Sequence, residues 1–282
     1  YAFATPEGRS AIAVLRISGS QCKTIMCDML SRPLRPREAS LVKLRSPVKG
    51  EILDQIIAIW YPGPASFTGE DCLELHLHGS QAVRKAAIQA LSTIGGCRLA
   101  EPGDFTRRAF LNGKTNLSRL EGLADLLEAE TEAQRKQAMA QLNGGVEQKC
   151  SAWREKLLSS LAILEASIDF ADEGDAPVEV LGEVRSNVLS LLGEFDEELH
   201  SSEGGRIIRD GFCVVIAGAP NSGKSSLLNG IARRDVAIVT DIAGTTRDII
   251  EVTVDLGGQL VRFQDTAGIR ESADRVEQLG VE

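Results

Sequence analysis

The hydrophobic and polar positions give the chain three successive textures. Cys72 to His78 (CLELHLH) alternates strictly, which predicts a strand with Leu73, Leu75 and Leu77 on one face and Glu74, His76 and His78 on the other. Ala11 to Ser18 (AIAVLRIS) and Ile56 to Tyr61 (IIAIWY) are short and rich in β-branched residues, and predict two further strands. Gln81 to Ile94 has helical apolar spacing and stops at Gly95-Gly96. The first third of the chain therefore predicts a compact α+β domain of alternating strands and helices.

From Asn116 to near Gly205, Pro and β-branched residues thin out, and Leu, Ala, Glu, Lys and Gln recur at three- and four-residue steps. LEGLADLLEAETEAQRKQAMAQL predicts one long amphipathic helix and WREKLLSSLAILEASIDF a second. Beyond the break at Asp172 to Pro177, a third is predicted to run to the neighbourhood of His200. Three such stripes barely cover one another, so further helices are expected beyond Glu282. At Gly211 the texture changes again. FCVVIAG predicts a buried strand, a glycine-rich loop follows, SSLLNGIARR predicts a helix, and LVRFQ a short strand.

Composition narrows the class. The 282 residues are 43% hydrophobic and 25% charged, enough for more than one buried core. The longest apolar runs, such as Ile56 to Tyr61, fall far short of the roughly 20 residues that cross a bilayer, and no signal segment opens the chain, so a soluble protein without a membrane is expected. A net charge of −9 repels nucleic acid at long range and leaves RNA contacts to local basic patches or a partner protein. The six cysteines, at 22, 27, 72, 97, 150 and 213, form no CxxC pair and predict reduced thiols. His76 and His78 share a strand face and so present two imidazoles to a metal, but no third ligand is evident, and a polar binding face is the better reading. The chain starts at Tyr1 and stops at Glu282 inside a domain, and is expected to be a fragment.

GAPNSGKSS, residues 218–226, carries the clearest chemistry. Gly218, Gly223, Lys224 and Ser225 fit G-x-x-x-x-G-K-[ST], set between a strand and a helix. Backbone N–H groups and the helix N-terminus hold phosphate oxygens, Lys224 reaches the β and γ phosphates, and Ser225 offers a hydroxyl to Mg²⁺. Asp265-Thr266-Ala267-Gly268 follows a strand, with Thr245-Thr246 midway between. The Asp265 carboxylate can reach the water shell of Mg²⁺, the Gly268 N–H can sense a γ-phosphate, and Thr246 is the threonine that can swing onto Mg²⁺. Together these predict a GTPase.

VVIAGAPNSGKSSLLNGIARRDVAIVTDIAGTTRDIIE and DTAGIRE resemble the GTPase domain of the tRNA-modification GTPase family called MnmE or TrmE. GRSAIAVLRISG, PASFTGEDCLELHLHG and EPGDFTRRAFLNGKTNLSRLEGLADLLEA resemble that family outside its GTPase domain, so the match spans essentially the whole chain. The resemblance implies a multidomain α/β protein: a tetrahydrofolate-binding and dimerisation domain over 1–114, an incomplete helical domain over 115–205, and the first half of a P-loop GTPase domain over 206–282. The last would use Asn221, Ser222, Gly223, Lys224, Ser225, Ser226, the 240–246 loop and Asp265 to Gly268 for GTP.

Further roles are implied residue by residue. Folate contacts fall on Arg16 in RISG, Glu74 in LELHLHG and Lys114 in NGK; a carboxylate accepts N–H bonds from a pterin edge, and cations meet a glutamate tail or a carbonyl. Ile269 stands where Ras-like GTPases carry a water-orienting glutamine, so hydrolysis needs other help. The resemblance implies K⁺ beside the phosphates, held by Asn221, Thr240, Ile242 and Thr245, with Asp241, Ala243 and Gly244 completing that loop. It also implies catalytic roles for Glu277, Lys224 and Thr246, and Mg²⁺ on Ser225 and Thr246.

The implied activity is GTP hydrolysis, stimulated by potassium. It would be coupled to addition of an aminomethyl or carboxymethylaminomethyl group at C5 of a tRNA wobble uridine. The one-carbon unit comes from 5-formyl- or 5,10-methylenetetrahydrofolate, and the partner is a flavoprotein of the MnmG or GidA type in a heterotetramer. The expected compartment is the bacterial cytoplasm, or the mitochondrion for a eukaryotic source. No NKxD motif is present, so guanine preference comes from the resemblance alone. A ribosome-assembly switch without group transfer, and a scaffold that only dimerises, are the alternatives.

Overall fold

Strict alternation at CLELHLHG produces the central strand of a sheet with one apolar face. The computed structural model describes residues 1–169, 178–218, 222–232, 237–238 and 251–265. They divide into two compact units, Tyr1–Leu117 and Ser118–Glu282. No helix among the described residues is long and apolar enough to cross a membrane.

The first unit runs β1 (Ala2–Phe3), β2 (Ser10–Ser18), α1 (Cys22–Met29), β3 (Ser40–Arg45), β4 (Ile52–Tyr61), β5 (Cys72–Gly79), α2 (Gln81–Ser92) and α3 (Asp104–Leu111). Its sheet has the order β1-β2-β5-β4-β3, with every pairing antiparallel. The predicted alternation of strands and helices is corrected here. β3, β4 and β5 follow one another without a helix, because antiparallel neighbours need only a short connection. Leu15, Ile17, Leu73, Leu75 and Leu77 point to one face and are buried with Ile25 and Met29 of α1 and Ala87 and Leu91 of α2. Burying each leucine contributes about 2 kcal/mol, so the register of β2 on β5 is held firmly. Ser80 caps α2 by accepting from the Val83 N–H at 3.2 Å.

The second unit holds α4 (Leu117–Glu128, all but its first residue), α5 (Glu132–Leu142), α6 (Gly145–Asp169), α7 (Val178–Asp210) and α8 (Lys224–Ala232). Its four-stranded sheet has the order β6 (Phe212–Ile216), β9 (Gln259–Asp265), β8 (Glu251–Leu256), β7 (Ala237–Ile238). α6 packs along α7, with the Trp153 ring edge-on to Phe195 at 4.5 Å and Trp153 Nε1 donating to Glu194 at 3.1 Å.

Three sequence expectations are corrected here. The helix predicted over 120–142 is two helices, because Thr131 and Gln134 form a capping box that starts α5 afresh. α7 continues past His200 to Asp210 and carries Gly204-Gly205 inside it; the Gly205 carbonyl accepts from Gln137 Nε2 of α5 at 3.0 Å, so the glycine serves a close helix approach rather than a stop. The stop is Gly211 at φ +77°, whose N–H returns to the Ile207 carbonyl at 2.9 Å. The strand predicted as buried, β6, leaves Phe212, Val214 and Val215 exposed. It lies at the edge of the described sheet with β9 as its one strand neighbour.

Candidate functional site

The polar face of the first sheet is built by register. Arg16 on β2 stands directly opposite Glu74 on β5, and both side chains are largely buried. Arg16 Nε and Nη2 donate to the same oxygen, Glu74 Oε1, at 2.9 and 2.7 Å. Above the pair lie two aromatic rings, with the guanidinium carbon 5.2 Å from the centroid of Phe67 and 6.0 Å from that of Phe105. Phe67 sits on the loop before β5 and Phe105 in the first turn of α3. Neither ring is among the residues that the family resemblance implies for folate.

A network fixes those two segments. Thr68, fully buried, shares a hydrogen bond with Ser18 Oγ at 2.7 Å, and its carbonyl accepts from Asn112 Nδ2 at 2.7 Å. Arg108 Nη1 donates to Glu70 Oε2 at 2.6 Å and to the Ser18 carbonyl at 3.0 Å. Gly69, at φ +81°, lets the loop close on the turn after α3: a Cβ there would come 2.9 Å from Asn112 Cβ and 3.3 Å from Lys114 Cγ. The exposed Lys114 is thus carried beside the loop that holds Phe67. The three sequence-predicted folate residues therefore lie on segments tied into one network. Of the two histidines on the face, His78 is held by Asp54 at 2.7 Å, and His76 Nε2 faces Glu74 Oε2 at 3.9 Å.

In the second unit, β6 runs parallel to β9 with Ile216 opposite Asp265, so the chain leaves β6 for the glycine-rich loop beside the strand end that carries Asp265. α8 begins at Lys224, whose Nζ donates to the Gly218 carbonyl at 3.0 Å. Ser222 and Gly223 precede the helix, and Ser225 and Ser226 lie in its first turn. Asn221, Thr240, Asp241, Ile242, Ala243, Gly244, Thr245, Thr246, Thr266, Ala267, Gly268 and Glu277 lie outside the described residues, as do the side chains of Ser225 and Asp265. A separate polar cavity of about 670 Å³, lined by Asp125, Glu130, Gln134, Arg209 and Arg262, contains none of the predicted site residues.

Comparison with known proteins matches residues 1–114 to the family model described as GTP-binding protein TrmE N-terminus, and residues 117–279 to the MnmE helical domain. The chain belongs to the MnmE/TrmE family. It is 48% identical over 281 residues to a protein of Beijerinckia indica named tRNA modification GTPase MnmE, covering 100% of this chain and 62% of that one. Proteins of the same name from Methylorubrum populi and Caulobacter vibrioides are each 50% identical; all of this chain is covered in both, against 64% and 62% of theirs. The chain thus spans just under two thirds of the length of these MnmE relatives. The TrmE N-terminal match ends at Lys114, the last sequence-predicted folate residue.

Proposed function

We propose that this chain carries the folate-binding and phosphate-binding parts of a tRNA-modifying GTPase. The Arg16–Glu74 pair beneath Phe67 and Phe105 carries the reading: a phosphate loop fits many GTPases, but a partly covered ion pair under aromatic rings suits a flat heterocycle with hydrogen-bonding edges. The residues present fit a reduced folate. Glu74 keeps Oε2 clear of Arg16 to accept ligand N–H groups, the rings offer stacking surface, and Lys114 offers a cation for a glutamate tail. Bound folate would supply the one-carbon unit; the chain's own residues bind it, orient it and shield it from water.

The second site supplies nucleotide hydrolysis. Gly223 and the first turn of α8 would offer backbone donors to phosphates, and Lys224 would exchange its Gly218 carbonyl for a phosphate oxygen. Family resemblance supports Mg²⁺ on Ser225 and Thr246, and K⁺ on Asn221, Thr240, Ile242 and Thr245. Such cations would neutralise charge on the β and γ phosphates. Thr246 and Glu277 complete the proposed catalytic set, with Asp265 to Gly268 following the γ-phosphate. The product is a modified wobble uridine of tRNA, made with a flavoprotein partner by a homodimer in the bacterial cytoplasm.

Titration of the chain with 5-formyltetrahydrofolate tests the reading. Saturable binding that Arg16→Ala and Glu74→Ala each weaken by at least about tenfold is expected, because each removes one half of a charged, hydrogen-bonded pair. Absence of binding sinks the modification reading and leaves a P-loop switch. For the potassium site, a rate of GTP hydrolysis that prefers K⁺ over Na⁺ equally in Asn221→Ala and in the parent overturns that assignment.

A further inference from the structure

His76 Nε2 is buried and has no hydrogen-bond partner among the described residues. Leaving a polar ring nitrogen in that condition costs free energy unless another state or a ligand satisfies it. Glu74 Oε2 lies 3.9 Å from it, too far for a hydrogen bond in this structure and near enough for a small ring movement to make one. The other carboxylate oxygen is already taken twice by Arg16. Arg16 comes from β2, Glu74 and His78 from β5 itself, and His78 is engaged by Asp54 of β4. The residues directly opposite His76 on its two flanking strands, Val14 and Ile57, carry no charge.

We propose that His76 is a positioning residue for Glu74 that makes ligand binding at this site pH-dependent. The inference rests on the folate reading above and concerns its regulation. Neutral His76 leaves Glu74 Oε2 free to accept N–H groups from the ligand with its full charge. The imidazolium donates to Oε2 instead, so that Glu74 is shared between two cations and its bond to the ligand loses charge assistance. Binding is therefore strongest with the ring neutral and weakens once it is protonated.

The test is calorimetric titration of the chain with 5-formyltetrahydrofolate at about pH 8 and about pH 5.5, on either side of the histidine range. The parent should bind about five- to tenfold more weakly at the lower pH, the difference between a charge-assisted and an ordinary hydrogen bond. His76→Gln, which keeps a polar side chain and cannot titrate, should bind like the parent at the higher pH and lose that dependence; His78→Gln should retain it. An undiminished pH dependence in His76→Gln overturns the proposal while leaving the folate reading intact. No saturable binding at either pH overturns both.

Discussion

Arg108 joins two segments that the sequence keeps far apart: its Nη1 lies 2.6 Å from Glu70 Oε2 and 3.0 Å from the Ser18 carbonyl. One guanidinium thereby ties α3 to the end of β2 and to the loop that carries Phe67. The pair is more than a third exposed, so its direct contribution to stability is small, and its consequence is placement.

Arg108→Ala is accordingly expected to cost about 1 kcal/mol or less in urea unfolding. The same substitution should weaken 5-formyltetrahydrofolate binding by a larger factor, since Phe105 and Phe67 lose a shared anchor. Equal losses in both measurements would show that Arg108 acts on stability alone.

Gly69→Ala should destabilise the first unit by about 2 kcal/mol, because φ is +81° and the new methyl would meet Asn112. Thermal unfolding reads the effect, and Lys114 displacement should accompany it as weakened ligand binding.

The capping box offers a cleaner test of the second unit. Gln134 Oε1 accepts from the N–H groups of Glu130 and Thr131, and its Nε2 donates to the Arg209 carbonyl at 2.9 Å. Thr131→Ala should cost about 1 kcal/mol by loss of the cap. Gln134→Ala should cost more, since it also releases the last turn of α7, and the urea midpoint should order the two.

Burial, with lesser contributions from Cys72 and Asp71, pushes the Cys22 thiol up from the ordinary 9.0 to about 12. A raised folded-state value means that folding favours the protonated thiol. The stabilisation is fully present below pH 9.0 and is lost as pH rises from there towards 12. Stability should fall through that window, less steeply in Cys22→Ala, where cavity formation lowers the whole curve instead. At neutral pH, iodoacetamide should label the exposed Cys27, Cys150 and Cys213 and spare Cys22 until the chain unfolds.

Lys224→Ala should reduce affinity for a fluorescent GTP analogue by on the order of a hundredfold, since it removes the side-chain cation of the loop. Retained affinity would place the phosphates elsewhere.

Alternation and spacing determined much of this by themselves. Period two in CLELHLHG put Leu73, Leu75 and Leu77 in the core and Glu74, His76 and His78 on the other face, as found. The strand β6 and the helix α8 on either side of the glycine-rich motif were legible too, because each is a run of consecutive residues with its own period. Helix limits were less so: Thr131 and Gly205 carry the signals, but whether a cap interrupts or a glycine passes depends on the partner helix, here through Gln134 and Gln137. β6 misled for a related reason, since an apolar run gives a strand but not what covers it.

What only the tertiary structure decided is the pairing at the heart of the candidate site. Parity says that Arg16 and Glu74 each face away from a core; it does not say that they face each other across 58 residues. That pairing follows from the register of β2 on β5, which is set by leucines on the opposite side of the sheet. Phe67 above Arg16 depends on the same non-local packing, which no stretch of sequence contains.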